Sequence, residues 1–168
     1  MNYPHPGLHR GKYIRLAGHH SIREAKHCIT LTTMKREHLF GQFTNGEMIL
    51  NDFGKIIEQA WQGIGTQYNR VEVDRFVMMP NHLHGVLLYG SGEGGVSRNI
   101  PSSKPLGRIT GAFKTASTKR INEKRRTPGA KLWQKEFWDH IIRNRADLER
   151  IRDYTRDNPR EWQQKIDS

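Results

Sequence analysis

The chain has 168 residues, which suits a single domain that is large enough to bury a core of ordinary size. Its one cysteine excludes both a disulfide framework and a cysteine-rich zinc site, and no apolar run is long enough to span a bilayer. The 28 Lys and Arg residues outnumber the 17 Asp and Glu residues, and the net charge of +11 indicates a partner with a phosphate backbone.

The first part of the chain predicts an arm, a strand and a hairpin. Residues 1–25 are polar and predict an N-terminal arm; they have no apolar signal-peptide core, so we expect a cytoplasmic protein. Residues 27–33 are rich in β-branched side chains and predict a strand. Asn45-Gly46 favours the positive φ angles of a tight turn, so residues 39–43 and 47–50 are expected to pair as a hairpin.

The middle of the chain predicts a helix followed by a second hairpin. Asn51 is a candidate N-cap, and the apolar residues behind it recur at helical spacing, which predicts a helix over about 53–67. Residues 71–79 and 82–89 predict two strands, and Pro80-Asn81 predicts the turn between them. We therefore expect the second of these strands to lie in an antiparallel sheet.

The remaining elements complete one domain that spans the chain, residues 1–168. Residues 90–105 are rich in Gly, Ser and Pro and predict a flexible surface loop. Apolar spacing then predicts a helix over about 106–125 with a cationic surface, a strand over 132–142, and a helix over 146–158 that Pro159 ends. This order predicts an α+β fold with a mostly antiparallel central sheet and flanking helices.

Two histidines in the predicted strand 82–89 are candidate metal ligands. Because side chains alternate between the two faces of a strand, His82 and His84 point the same way and Leu83 points into the opposite layer. Two imidazoles on one face are half of a metal site. Taken without other motifs, a structural or solvent-facing pair is the commoner explanation of such histidines.

The last predicted helix supplies a second pair of polar side chains. Tyr154 and Asn158 are four residues apart, so they are neighbours on the helix surface. If this helix packs near the histidine strand, the Asn158 oxygen could join the two imidazoles as a third ligand, and Tyr154 could reach a phosphate bound there. On its own, Tyr154 is equally explained as a tyrosine packed on the sheet with its hydroxyl in solvent.

Three blocks of sequence, taken together, resemble a known family. The His-Leu-His stretch at 82–84 resembles the HUH motif of single-tyrosine transposases. Residues 133–144 and 148–159, with Trp133-Gln134, an Asp-His-Ile-Ile-Arg run and Tyr154 before Asn158-Pro159, resemble blocks of the REP-associated tyrosine transposases. The resemblance covers about residues 27–160 and implies the HUH-endonuclease architecture, which is ferredoxin-like or RRM-like.

The resemblance implies the chemistry of the site. It implies Tyr154 as the nucleophile and a divalent ion, Mg²⁺ or Mn²⁺, on His82, His84 and a polar residue of the tyrosine helix. That third ligand would be Asn158, where insertion-sequence relatives commonly have glutamine. The implied activity is a metal-dependent single-stranded DNA endonuclease and transposase, which cleaves and rejoins DNA at hairpin (REP-like) sequences through a covalent 5′-phosphotyrosine.

Several expectations depend on charge and on this resemblance. We expect single-stranded DNA with hairpins as the partner, no membrane, a nucleoid-associated location, and either a monomer or a homodimer. Tyr154 needs a metal ion, a base or nearby cations to lower its pKa. The candidate cations are Arg150, Arg152 and Arg156 on its own helix, and Lys114 or Lys119 approaching from the preceding helix. The candidate DNA-binding residues are Arg108, Lys114, Lys119, Arg120 and Arg150.

Two other functions stay open at this point. One is a domesticated protein that binds DNA hairpins with little or no catalytic activity. The other is a metal-dependent RNA-processing enzyme. The presence of Tyr154 together with His82 and His84 favours the DNA-cleaving enzyme over both.

Overall fold

The predicted order of helices and strands is confirmed in a computed structural model that describes residues 25–68, 70–89 and 105–166. The elements, in chain order, are β1 (Ala25–Thr32), β2 (Gly41–Thr44), β3 (Glu47–Leu50), α1 (Asp52–Gln67), β4 (Val71–Met79), β5 (His82–Tyr89), α2 (Pro105–Arg125), β6 (Trp138–Ile142) and α3 (Arg145–Ile166). Two predicted segments lie outside the described residues except for the last residue of each. They are the arm at 1–25 and the loop at 90–105. No helix in the described ranges is both long and apolar enough to cross a membrane.

The centre of the fold is a four-stranded antiparallel sheet in the order β4-β5-β1-β6. Strands β4 and β5 form the predicted hairpin around Pro80-Asn81, and β2 and β3 form a separate two-stranded hairpin. In the pairing of β1 with β5, Thr30 lies opposite His84 and Thr32 lies opposite His82. The predicted α+β class with an antiparallel sheet is therefore confirmed.

The sheet has two differently covered faces, because successive side chains of a strand alternate between them. On one face, Leu83 and Leu31 are fully buried in a core that includes Trp61 of α1 and Phe113 of α2. On the other face, the buried cluster joins Cys28, Val86 and Ile142 to α3 residues Leu148 and Ile151. The even-numbered histidines of β5 point to the side of α3, and Leu83 anchors the strand in the opposite core as predicted.

The predicted strand at 132–142 is wrong over its first half, because β6 comprises only Trp138–Ile142. Of the preceding residues, Trp133 makes an isolated antiparallel bridge with Thr33, flanked by backbone hydrogen bonds from Gln134 N to Thr32 O at 2.9 Å and from Met34 N to Leu132 O at 2.7 Å. Trp133 turns its ring into the core and donates from Nε1 to Ser117 Oγ at 3.0 Å. The Lys114 ammonium donates to the carbonyl oxygens of Gln134 and Lys135 at 2.9 and 3.2 Å, so these carbonyls need no neighbouring strand.

The prediction that Pro159 ends the last helix is also wrong, because α3 continues to Ile166. Proline has no N–H, so it cannot donate the helical hydrogen bond to the carbonyl of residue 155. Packing beyond the proline offsets this loss: Trp162 is only 5% exposed and its ring lies against the rings of His82 and His38. Tertiary contacts thus override the local preference of proline.

Candidate functional site

The candidate site lies between β5 and one stripe of α3. Tyr154, Asn158 and Trp162 recur every four residues, so they lie along one side of the helix. The ring centroid of Tyr154 is 5.3 Å from that of His84, and the ring centroid of Trp162 is 5.5 Å from that of His82. Asn158 sits between these two contacts. The structure therefore brings the predicted nucleophile to the predicted histidines and places the predicted third ligand in the same stripe.

The position of α3 on the sheet is fixed at several points. Arg152 donates to both carboxylate oxygens of Asp74 in β4, from Nε at 2.8 Å and from a terminal nitrogen at 2.9 Å. Leu148 and Ile151 are buried in the cluster beneath the helix. At the start of the helix, Asn144 Oδ1 accepts from the backbone N–H of Asp147 at 2.8 Å. These contacts hold Tyr154 in place against the histidine strand.

The contacts of Asn81 determine the tautomer of His82. Asn81 is buried, and its Nδ2 donates to the carbonyl oxygen of Arg36 at 3.2 Å, which fixes the orientation of its amide. Its Oδ1 then faces His82 Nδ1 at 2.8 Å, so that nitrogen must carry the proton. The lone pair of His82 is therefore on Nε2, which is the nitrogen that can ligate a metal ion.

His84 is held in a similar way by β1. It is 1% exposed, with its Nδ1 at 2.8 Å from Thr30 Oγ1 and its Nε2 at 3.3 Å from Cys28 Sγ. Burial raises the pKa of the Cys28 thiol, so the thiol stays protonated and can donate to Nε2. If the thiol does donate, Nδ1 donates to Thr30 and His84 has the same tautomer as His82. An ion on this Nε2 would take the place of the Cys28 hydrogen bond.

Asn158 provides an independent observation that fits a ligand site. Asn158 is 6% exposed, and its Nδ2 is buried and makes no hydrogen bond of good geometry among the described residues, although its side chain lies close enough to the Tyr154 phenol to lower the pKa of that group. A buried amide atom without a partner is destabilising unless a further group satisfies it. A flip of the amide exchanges its oxygen and nitrogen, so an oxygen donor can occupy this position.

The donor set of two imidazole nitrogens and an amide oxygen fits a divalent ion such as Mn²⁺ or Mg²⁺. Within the described ranges, no group of three or more His, Cys, Asp or Glu side chains could hold a metal ion. An ion on His82 and His84 would therefore need the Asn158 oxygen, or oxygens of water and substrate, to complete its ligands.

The structure contradicts the expectation that helix arginines lower the pKa of Tyr154. Burial raises this pKa to about 12, with a further rise from the Glu161 carboxylate that the neighbouring Asn158 side chain only partly offsets. None of the three helix arginines is among the causes of the shift, and each guanidinium group is paired with a carboxylate. The pairs are Arg150 with Asp147, Arg152 with Asp74, and Arg156 with Asp153 and Asp157.

The candidate DNA-binding residues lie in two places. Arg150 lies on α3 beside Asp147, and the other four lie on α2, across the sheet from Tyr154. Lysines of α2 therefore do not approach the tyrosine, contrary to expectation. Lys114 binds two backbone carbonyls, Lys119 lies 4.0 Å from Glu123, Arg120 donates to Gln59, and Arg108 is exposed. Their DNA-binding role stays a prediction.

Three residues of the site were missed from the sequence. Thr30 and Cys28 contact His84 from β1, and the register that pairs β1 with β5 cannot be deduced from either strand alone. Trp162 continues the four-residue spacing of Tyr154 and Asn158, a pattern that could have identified it. The expected helix end at Pro159 concealed that pattern.

Comparison with known proteins identifies a relative by sequence and solved structures with a similar fold. No family model matches the chain. An uncharacterized protein of Haemophilus influenzae (strain ATCC 51907 / DSM 11121 / KW20 / Rd) is 31% identical over 170 residues, covering 94% of this chain and 93% of that protein. Among solved structures, a REP-associated tyrosine transposase bound to a REP hairpin superposes with a TM-score of 0.54 at 18% identity, covering 86% of this chain and 72% of the other.

A candidate transposase from Deinococcus radiodurans R1 superposes with a TM-score of 0.49 at 16% identity, covering 82% of this chain and 92% of the other. At 18% identity, the likeness to the REP-associated enzyme shows a shared α+β fold. The sequence match over nearly the whole of both chains shows kinship. The chain therefore belongs to the same protein family as the Haemophilus influenzae protein, and it has the fold of a REP-associated tyrosine transposase.

Proposed function

We propose that this protein is a metal-dependent single-stranded DNA endonuclease and transposase that uses Tyr154 as its nucleophile. The observation that carries the proposal is the approach of the Tyr154 ring to the His84 ring, 5.3 Å between centroids, with Asn158 one turn further along the same side of α3. The solved structure that shares this fold is a transposase bound to a REP hairpin, which supports hairpin-bearing DNA as the substrate class.

The roles of the residues follow from their chemistry. His82 and His84 would hold Mg²⁺ or Mn²⁺ through Nε2, and Asn158 would hold it through its amide oxygen. When bound, the ion would polarise the scissile phosphate and offset the charge that develops on it. Asn81 and Thr30 keep the two Nδ1 atoms occupied, so that the imidazoles offer a fixed nitrogen to the site.

Tyr154 carries the covalent step. Its phenol oxygen loses a proton and forms a bond to phosphorus, the bond from phosphorus to the 3′ oxygen breaks, and that oxygen takes a proton. The enzyme keeps the 5′ phosphate, and a free 3′-hydroxyl is released. Attack by another 3′-hydroxyl reverses these bonds and joins two DNA ends, so the phosphodiester is conserved without an external energy source.

The environment of Tyr154 determines when it can react. Because burial raises its pKa to about 12, the phenol is almost entirely protonated at neutral pH. A protonated phenol is a weak nucleophile. Loss of the proton therefore accompanies binding of the substrate at the site rather than preceding it, which limits reaction with stray molecules.

A denaturing gel tests the proposal. A single-stranded DNA hairpin with flanking sequence is incubated with Mn²⁺ and the protein, using one substrate labelled at its 3′ end and one at its 5′ end. Only the 3′-labelled fragment should migrate with the protein, since the 5′ phosphate stays on the enzyme. Tyr154→Phe should abolish this band, whereas Tyr68→Phe, a tyrosine packed on the other sheet face, should retain it. Equal bands from wild type and Tyr154→Phe would exclude Tyr154 as the nucleophile.

A second variant separates cleavage from binding. His82→Ala should abolish cleavage while DNA affinity, measured by fluorescence anisotropy, stays near that of wild type, because the cationic surface is unchanged. An equal loss of affinity and cleavage would contradict a role for His82 in catalysis.

The alternative function is a DNA-hairpin-binding protein with little or no catalytic activity. Two observations favour it: the raised pKa of Tyr154 and the hydrogen bond that already engages His84 Nε2. It predicts hairpin binding with no covalent band at any metal concentration. A matched RNA hairpin in the same assay tests RNA processing, which predicts faster cleavage of RNA than of DNA.

A further inference from the structure

A basic groove lies on the other side of the sheet from Tyr154, between the second half of α2 and residues 126–135. Its volume is about 780 Å³. Six charged residues line it, five cationic and one acidic. They are Lys114, Lys119, Arg126, Lys131, Lys135 and Glu123. We call this feature the α2 groove.

The outer cations of the α2 groove have no acidic partner, unlike the arginines in the middle of α3. Arg126, Lys131 and Lys135 are exposed, and no carboxylate of the described residues lies within 4.0 Å of their side-chain nitrogens. In α3, by contrast, Arg152 and Arg156 are both paired with carboxylates. A phosphate that enters the α2 groove therefore has no carboxylate to displace from these three cations.

The walls of the α2 groove are held in place by buried hydrogen bonds. Asn122 is 8% exposed, and its Nδ2 donates to the backbone carbonyl oxygen of Ala130 at 2.8 Å. The backbone carbonyl oxygen of Asn122 accepts from the backbone N–H of Thr127 at 3.0 Å. Trp133 Nε1 donates to Ser117 Oγ at 3.0 Å and so ties the opposite wall to α2. A preformed groove loses little conformational freedom when a ligand binds.

The floor of the α2 groove favours a backbone ligand over stacked bases. Leu132 and Trp133 form part of the floor, but they are only 1% and 6% exposed. The indole ring therefore offers almost no surface on which a base could stack. Cationic side chains without an exposed aromatic platform contact phosphates and carry no sequence information.

From these observations we propose that the α2 groove binds the phosphate backbone of DNA independently of base sequence. It is a second DNA site, separated by the sheet from the Tyr154 site, and it does not require that the protein cleave DNA. Lys131, Lys135 and Arg126 are its principal contacts. It would hold DNA on the opposite face of the sheet from the strand that reaches Tyr154, and its cations are part of the net charge of +11.

The salt dependence of binding tests this proposal. DNA affinity is measured by fluorescence anisotropy between 50 and 300 mM KCl in the Tyr154→Phe background, with a labelled hairpin and a scrambled hairpin of equal length. Each lost phosphate contact lowers the slope of log K against log salt by about 0.9 for duplex and about 0.7 for single strands. Lys131→Gln/Lys135→Gln should lower it by about 1.8 or 1.4, equally for both hairpins.

The matched control is Lys55→Gln/Arg70→Gln, which removes the same charge from two exposed positions outside the groove. Its slope should stay within error of wild type. An unchanged slope for the groove variant, or an equal fall in groove and control variants, would overturn the proposal. The covalent-band assay keeps this proposal separate from the proposed DNA-cleaving function. It is run on wild type and on the groove variant with Tyr154 restored. Absence of a band from wild type would contradict DNA cleavage but not DNA binding by the α2 groove, which the salt slopes alone decide.

Discussion

Thr30 and Asn81 are small polar residues that contact the Nδ1 atoms of the two candidate histidines. Each places an oxygen 2.8 Å from an Nδ1 atom, Thr30 at His84 and Asn81 at His82. Partners of this kind orient metal-ligating imidazoles and raise their basicity. The two histidines therefore depend on side chains from two different elements, β1 and the turn before β5.

The first prediction concerns Thr30. Thr30→Val keeps the shape of the side chain but removes the oxygen that engages His84 Nδ1, so His84 loses its fixed tautomer. Mn²⁺ affinity, measured by isothermal titration calorimetry, should fall by about 10- to 100-fold. Thr32→Val is the control, since the Thr32 hydroxyl makes no hydrogen bond within the described part of the chain. If both variants bind Mn²⁺ as wild type does, His84 is not oriented by Thr30.

At the residue scale, the sequence predicts which face of a strand a side chain lies on better than it predicts that side chain's hydrogen-bond partners. Alternation along β5 was sufficient to place His82 and His84 on one face and Leu83 on the other. The identity of their hydrogen-bond partners depends on strand register, which long-range packing decides. The pKa of Tyr154 is raised rather than lowered, because burial of the phenol and the Glu161 carboxylate decide it and no arginine of the helix offsets them.

At the scale of elements, α3 is the part whose position decides the site. Its first turn is held by Asp147, whose carboxylate binds His140 at 2.9 Å and Arg150 at 2.6 Å. Burial acts to raise the pKa of the Asp147 carboxyl. The hydrogen bonds from His140 and Arg150 outweigh burial, so the pKa is held below its usual value near 3.8.

The second prediction follows from the sign of this shift. The folded state prefers the Asp147 carboxylate, so its contribution to stability is complete above pH about 4, near the unfolded pKa. It is lost as pH falls through the lower, folded pKa. Asp147→Asn should flatten the fall in the free energy of unfolding between pH 4 and pH 2, measured by urea denaturation. If the free energy of unfolding of Asp147→Asn falls as steeply with pH as that of wild type, Asp147 does not contribute to the pH dependence of stability.

The element-scale predictions from the sequence were correct where a periodic pattern was long. β4 and β5 have the predicted limits, and α1 differs from its prediction by one residue at its start. Errors arose where packing competes with local preference. Pro159 lies inside α3 because Trp162 is buried beyond it. Residues 132–137 fall short of a strand because only Trp133 bridges to Thr33, while the Lys114 side chain occupies the carbonyls of Gln134 and Lys135.

At the scale of the whole molecule, the sheet separates the candidate catalytic site on one face from the α2 groove on the other. Gly85 lies in the sheet between these two faces. It follows His84 in β5 and points toward α1. A Cβ at this position would lie 2.7 Å from Trp61 Cζ2 and 3.1 Å from Phe76 Cβ. The fully buried indole of Trp61 therefore packs directly over the backbone next to the candidate metal ligands.

The third prediction is that Gly85→Ala destabilises the protein by about 1–3 kcal/mol, because the added methyl group overpacks the core against Trp61. Thermal unfolding measured by circular dichroism checks this. Gly63→Ala in α1 is the control: a Cβ there meets nothing within 4 Å, and alanine should stabilise the helix by about 0.5–1 kcal/mol. A melting temperature for Gly85→Ala at or above that of wild type would contradict the packing.

Composition and element order were sufficient to predict the α+β fold. Along most of the chain, the spacing of apolar residues and the positions of turn residues indicate the same boundaries of helices and strands. The arrangement of charge could not be predicted in the same way. Three arginines in the middle of α3, Arg150, Arg152 and Arg156, are paired with carboxylates, whereas exposed cations after α2 lie around a groove that only the folded chain forms. Net charge predicts a nucleic-acid partner, but its location depends on which charges the fold leaves unpaired.

The central claim is that Tyr154 forms a covalent bond to DNA, and peptide mapping tests it most directly. Wild-type protein is incubated with Mn²⁺ and a hairpin substrate, the DNA is trimmed with nuclease, and the protein is digested with trypsin. Cleavage after Arg152 and Arg156 releases residues 153–156, which contain Tyr154. The account predicts that tandem mass spectrometry finds the nucleotide phosphate on Tyr154 in this peptide. Cleaved DNA with an unmodified 153–156 peptide, or a nucleotide on any other residue, would contradict it.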